Sequence, residues 1–484
     1  MNIYQFLDHS AQQKTYLLRF LEQHHAEYLP SQKIMDFLSI SNFKLQKLID
    51  EINEDFQEQP ETAKLQIKIE NKHFIYCPDL TEKDISYLKL AYLENSYLFL
   101  LLQELMIQPT SIYTFADNFY ISKTKAYNVQ QELIQILPSF NLTIKGGILI
   151  GDEITIRNLL YNIYYNFYHG IKEPLSERMD DASKQFFLNL TTELSSNLPI
   201  TQRLKLFFFL FVNFFRIKAE APLVEFIFSK EQTVSETTHD ETISKFFNLF
   251  DLPEEIRLHE INYVKLFFYA EKMTDVLPPE LSHVNLKNVT KNTKQLMNRF
   301  NSFFNDKYQV QFEDHYFIKT EMEIYRINLK WEIFPTPVNS FISENQLTYF
   351  SEVYPEYYQF LTEYFEKHIK SMDLINRIAL MYDYLFVFIT SFPIGEISSK
   401  IYICIDFSRG VNYSEYIKNN VLRFKSMNII VQRTLTEDTQ LFISDFLMPN
   451  LQCETVVWKE PPSHADWQLL GDLLVKIRRS SEVN

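Results

Sequence analysis

The sequence predicts a mainly α, multidomain protein that begins with a duplicated helical module and closes with a small α/β domain. Three observations carry this. Only 7 glycines occur in 484 residues, and none lies between Gly170 and Gly395. A residue that marks tight turns is thus missing where long helices would run. Apolar positions in the first third recur after a shift of 81 residues, with Ile34 falling on Phe115, Leu45 on Ala126 and Phe56 on Leu137. From about Ser399 strand-like and helix-like segments alternate, the pattern of a mainly parallel sheet.

Taken in order, residues 9–25 and 29–56 read as helical, with apolar residues three to four apart. "LQIKIENKHFIYC" (Leu65 to Cys77) alternates as a hairpin, with Leu65, Ile67 and Ile69 on one face. The second copy reads as helices over about 82–107, 111–120 and 122–137. "LTIKGGILIGDE" follows as a hairpin turning at Gly146 and Gly147. Asp36 and Ser41 fall on Asp117 and Ser122 as identities, and each serine suits the N-cap of the helix it precedes. A helix, a tight turn at "IS", a second helix and a hairpin, written twice, describe two winged helix-turn-helix domains over 1–80 and 81–152.

From Asp152 to about Pro393 nearly everything reads helical. Its most apolar run, "LFFFLFVNFF" (Leu206 to Phe215), is about half the ~20 residues that span a bilayer and reads as a buried core helix. The last stretch gives strands at "KIYICIDF", "MNIIVQ", "LFISDF" and "ETVVWK". Helices read at "YSEYIKNNVLRFK" and "DWQLLGDLLVKIRR".

Composition narrows the class. Hydrophobic content of 46% with 23% charged residues is that of a soluble globular chain. The 3 cysteines, Cys77, Cys404 and Cys453, are far apart and imply neither a disulfide framework nor a zinc site. With an N-terminus unlike a signal peptide, the expected location is the cytoplasm, with no membrane partner. No HExxH, GxSxG or phosphate-loop signature is present, so no enzyme activity, metal or cofactor is expected.

The formal charge of -15 makes one stretch conspicuous. From Ser122 to Gln131, "SKTKAYNVQQ" has two lysines, amides and hydroxyls, and no carboxylate. A recognition helix sets its N-terminal residues against base edges in the major groove. In the second copy these would be Ser122, Lys123, Thr124, Tyr127, Asn128 and Gln131, with Lys125 nearer the phosphates. Asn and Gln pair with adenine and Lys reaches guanine. The first copy offers Ser41, Asn42, Lys44, Gln46 and Lys47, with no acid until Asp50. Acidic residues outnumber basic ones even over 1–165. Phosphate neutralisation alone would therefore bind weakly, and useful affinity calls for several modules at once, most simply a homodimer.

The double helix-turn-helix resembles the Mga family of virulence and global regulators of Gram-positive bacteria. "FADNFYISKTKAYNVQQELIQILPSFNLTIKGG" followed by "GDEITIRNLLYNIYYNFY" carries the resemblance most strongly. The resemblance implies two helical PTS regulation domains (PRDs), over 153–282 and 283–396. It also implies an α/β domain similar to enzyme IIB of the sugar phosphotransferase system over 397–484, and phosphotransferase-system proteins as partners. The PRD pattern is a histidine about two turns before an arginine. "LKLFFFLFVNFFRIKAE" supplies Arg216 but has Phe209 where the histidine would stand. His169, His239, His259, His283 and His315 match no such context. His368, in "EYFEKHIKSMD", is carried as the phosphorylation candidate, against an ordinary solvated histidine. The loop where enzyme IIB holds phosphate corresponds to Asp406 to Tyr416 and contains no Cys or His. Ser408, Arg409 and Gly410 there read as a turn. The expected function is a DNA-binding transcription regulator with double-stranded DNA as partner. The alternative is a phosphotransferase-linked sensor or interaction protein without DNA binding.

Overall fold

The computed structural model describes residues 2–24, 27–71, 73–174, 179–223, 240–275, 286–335, 344–370, 372–458 and 461–481. Most of these are helical, and the chain divides into two compact units. The first comprises residues 1–286 with 329–341, the second 287–328 with 342–484.

The first unit opens with α1 (His9–Gln23), β1 (Leu29–Pro30), α2 (Ser31–Leu38), α3 (Asn42–Glu58), β2 (Lys68–Glu70) and β3 (Phe74–Tyr76). The strands form an antiparallel sheet in the order β1-β3-β2. Leu45, Leu48, Ile49, Ile52 and Phe56 of α3 are buried, and share one core with Leu17, Leu18, Ile34 and Ile75. The hairpin departs from simple alternation. Leu65 and Ile67 are buried, but Ile69 is exposed. The Asn53 amide takes both backbone groups of Ile67, accepting its N–H at 2.8 Å and donating to its carbonyl at 3.1 Å. Ile67 is thereby fastened to α3, and strand pairing starts only at Lys68.

The second module comprises α4 (Glu82–Asn95), α5 (Tyr97–Ile107), α6 (Ile112–Asn118), α7 (Lys123–Ile136), β4 (Thr143–Lys145), β5 (Ile148–Ile150) and α8 (Glu153–Tyr168). One helix was expected over 82–107; the chain breaks at Ser96, which is extended at ψ 121. The buried Ser96 hydroxyl donates to the Phe6 carbonyl at 2.7 Å, which binds the N-terminal segment to this module. Gly146 and Gly147 turn the β4–β5 hairpin at φ +61 and +76, the mirror-image turn that matches strand twist. A Cβ on Gly147 would lie 2.6 Å from the Thr110 carbonyl oxygen.

Helices α9 (Asp181–Ser195), α10 (Ile200–Lys218), α11 (Asp240–Phe247) and α12 (Glu254–Ala270) continue the unit. As expected of a core helix, α10 is buried throughout Leu206–Ile217. The Phe209 ring lies 3.8 Å from that of Phe267, nearly parallel. A buried polar lattice joins α8 to this layer. Arg157 donates to Glu260 twice, at 2.6 and 2.8 Å, and also to Glu153 and Asn213. Arg216 grips Glu153 through two bonds, at 2.9 and 2.7 Å, from the other side. Charges out of water are tolerable only when paired and hydrogen-bonded, as here.

The second unit contains α13 (Lys287–Tyr308), most of α14 (Asp314–Ile333), α15 (Glu344–Val353), α16 (Pro355–His368), α17 (Leu374–Ser391) and α18 (Ile394–Ile397). Among the described residues α17 alone is long and apolar enough to cross a membrane by length and composition. Its Leu380, Met381, Tyr384, Leu385 and Phe388 are buried in the unit. The chain ends in β6 (Ile401–Ile405), α19 (Val411–Val421), β7 (Ile429–Gln432), β8 (Leu441–Ser444), β9 (Glu454–Val457) and α20 (His464–Ser481). The four strands are all parallel, in the order β7-β6-β8-β9. The closing basic run is structural at its centre. Arg478 is buried, bonds both oxygens of the buried Glu356 at 2.9 and 2.8 Å, and donates to the carbonyls of Val353 and Ser426.

Candidate nucleic-acid interface

Local chemistry sets the two exposed helices at the chain's N-terminal end. The Ser122 hydroxyl accepts from the Lys125 backbone N–H at 3.2 Å, and Ser41 accepts from that of Lys44 at 3.4 Å. Each cap satisfies one free N–H and defines where its helix starts. Ahead of the caps both chains make the same turn: Ser39 stands at φ +53 and Tyr120 at φ +52. The Ile40 and Ile121 N–H groups close it, bonding the carbonyls of Met35 at 3.1 Å and Ala116 at 3.0 Å.

Ala126, Val129 and Leu133 turn α7 inward. Ser122, Lys123, Thr124, Lys125, Tyr127 and Asn128 are exposed, while Gln131 is half-buried. No acidic residue of α7 occupies its first turn, where a carboxylate would compete with an anion for the helix dipole and free N–H groups. The two lysines differ in setting. Lys125 Nζ lies 3.9 Å from the Tyr97 ring centroid, reaching back to α5. Lys123 Nζ lies 5.0 Å from the ring of Tyr113, itself exposed on α6. The wing adds an exposed Lys145, and its tip is bonded to the module where Thr110 N–H donates to the Gly147 carbonyl at 2.8 Å.

On α3, Ser41, Asn42, Lys44 and Lys47 are exposed and Gln46 is half-buried. Lys47 Nζ is 3.6 Å from Glu51, one turn on. Phe43, which sequence reasoning passed over, is 81% exposed among these polar groups. Tyr113 and Tyr120 were passed over as well; neither has a sequence signal, because aromatic residues in a helix normally mark a buried face.

The other candidates are scattered. His368 is exposed at the end of α16, its Nδ1 2.9 Å from the Gln295 amide and its ring against Tyr364. The histidine-less position Phe209 is sealed in the aromatic core. His169 rests on Tyr165, His259 Nδ1 is 3.4 Å from the Leu223 carbonyl, and His315 lies 3.1 Å from Glu313. His239 and His283 lie outside the described residues. In the loop after β6 the Ser408 N–H donates to the Asp445 carboxylate at 2.9 Å, and its hydroxyl donates there too. These bonds hold the Asp445 carboxyl below its ordinary range. Cys404 is buried within β6, which raises its thiol. No group of three or more His, Cys, Asp and Glu stands in metal-binding geometry among the described residues.

Residues 81–165 match the family described as the Mga helix-turn-helix domain. This part of the chain is similar to the Mga helix-turn-helix domain. It supports a Mga-family regulator, and a domain of that kind suggests DNA-binding transcription regulation. No curated protein matches the chain. The matched segment runs from the start of α4 into α8. Tyr164 and Tyr168 of α8 lie against Phe99 of α5, so α8 packs on the module.

Proposed function

We propose that the chain is a transcription regulator of the Mga type that binds double-stranded DNA through α7, with α3 as a second reading helix. It acts as a homodimer in the cytoplasm, and the domains after the Mga helix-turn-helix domain sense rather than catalyse. The observation that carries this is the mostly exposed stretch from Ser122 to Gln131, which holds no carboxylate, in a chain of net charge -15. Ser122, Lys123, Thr124, Asn128 and Gln131 approach base edges, Tyr127 meets the duplex beside them, and Ser41, Asn42, Lys44, Gln46 and Lys47 approach base edges from the first module. Duplex binding through two modules per protomer and two protomers offsets the weak electrostatic attraction of an acidic protein.

The helical region 153–396 is read as two PRD-like bundles. The sheet order β7-β6-β8-β9 supports an enzyme IIB-like domain that has lost phosphotransfer, since its loop lacks a Cys or His. Phosphotransferase-system proteins are proposed partners, with His368 as the candidate histidine for phosphorylation. Footprinting on genomic fragments at matched salt tests the reading, with sedimentation of the same sample reporting the oligomer. Protected sites in paired, helically phased blocks are expected. No protection at any salt removes DNA binding and leaves a sensor.

A further inference from the structure

On the reading that α7 binds a duplex, we propose that the phenol hydroxyls of Tyr113, Tyr120 and Tyr127 donate to DNA phosphates. The Mga helix-turn-helix domain then holds the backbone largely with uncharged groups. The first observation is Tyr120. It is 97% exposed and stands at φ +52, the one aromatic residue among those described with positive φ outside glycine. A side chain there costs energy that glycine would not. The turn itself does not call for a ring, because its counterpart Ser39 makes the same turn at φ +53. Glu220, Lys272 and Gln309, which follow other helices at positive φ, are all well solvated polar residues. Folding therefore gives no account of an aromatic ring held in water at this point.

The second observation is placement. Tyr113 is 60% exposed at the start of α6, within reach of Lys123. Tyr127 is 54% exposed one helical turn after Lys123, on the same side of α7. The three rings thus flank the N-terminal part of α7 at its start, at the preceding turn and along its outer face. Tyrosine is an established phosphate donor in protein–DNA contacts, through its hydroxyl. The third observation is charge. Lys125 lies against Tyr97 and Lys123 near Tyr113, and these two are the cations of α7. A module with few cations must satisfy phosphate oxygens by other donors. Neutral donors release few counterions, so the dependence of affinity on salt is shallow.

The test uses the full chain and a labelled duplex carrying a footprinted site. Tyr113→Phe with Tyr120→Phe and Tyr127→Phe removes three hydroxyls and keeps the rings. Binding is expected to weaken by about tenfold or more, because hydrogen bonds to charged acceptors are lost. The slope of log K against log salt stays at the wild-type value. Lys123→Ala is the contrast: its slope shrinks by about 1. Tyr120→Gly should raise the unfolding temperature and still weaken binding. If the triple variant binds as wild type does, or if its salt slope falls as that of Lys123→Ala does, the proposal is overturned. It is also overturned if Tyr120 variants alter self-association while duplex affinity holds. Wild-type protein that binds no duplex fails the parent reading, and this one with it.

Discussion

The Arg157 guanidinium clasps the Glu260 carboxylate with two hydrogen bonds, and both side chains are buried. Arg157 lies in α8, within the segment similar to the Mga helix-turn-helix domain, and Glu260 in α12, 103 residues further on. The pair is thus a rivet between the second helix-turn-helix module and the helical layer of α12. Glu260→Gln leaves Arg157 charged, buried and half-partnered. We expect a loss of about 3–5 kcal/mol, the range for breaking a buried pair from one side. Arg157→Met with Glu260→Leu should lose less than the single change. Denaturant unfolding followed by circular dichroism distinguishes them. Equal losses would mean that the surrounding bonds, not the pair, hold the layer.

Lys123→Ala with Asn128→Ala is expected to weaken duplex binding while leaving the fold intact, because both side chains are exposed. Each good base contact is worth about 1–3 kcal/mol. A gel-shift titration gives the affinity and far-ultraviolet circular dichroism the fold. Unchanged affinity would remove α7 as the reading helix.

Much of the geometry of the candidate site is legible in the sequence, for identifiable reasons. Ser41 and Ser122 stand at helix starts because a hydroxyl followed by an apolar period is a local signal, and the 81-residue repeat doubled it. The turn at Gly146 and Gly147 was legible because so few other glycines compete. What stayed hidden depends on distance along the chain. Nothing near Lys125 announces that its ammonium lies against Tyr97, and nothing in the run ending at Arg479 separates buried Arg478 from its exposed neighbour. The positive φ of Tyr120 was hidden because glycine, the usual marker, is absent there. Ile69 was placed on the buried face by alternation alone, and the Asn53 clamp on Ile67 displaces the pattern.

Gly147→Ala should destabilise the second module by about 1–3 kcal/mol. The added Cβ must sit at φ +76 and within 2.6 Å of a backbone oxygen that cannot withdraw. Gly146→Ala, with nothing within 4 Å, should cost only the backbone term of about 1 kcal/mol. Thermal unfolding of the two variants tests the order. A smaller loss at Gly147 would show that the wing tip is not held against Thr110.

Lys89 is buried against Phe167, and burial followed by the charge of Arg19 lowers its ammonium from 10.5 to about 8. Below pH 8 it is protonated folded or unfolded, and the burial penalty is present in full. Between about pH 8 and 10.5 the folded chain loses the proton first. The unfolded state then binds more protons, so this group's contribution to stability rises with pH. Lys89→Met is therefore expected to stabilise at pH 7, by at most about 3 kcal/mol. The gain should fade towards pH 10. A gain that does not change with pH would assign it to packing alone.

The Arg478–Glu356 bond pair spans 122 residues. Vectorial synthesis meets that separation directly: when Glu356 leaves the ribosome its counterion has not been translated. The second unit must wait, with a carboxylate destined for the interior still in solvent, until α20 emerges. A chain stopped by a nonsense codon between positions 356 and 478 never completes that step, which makes such products natural clients for holdase chaperones and proteolysis.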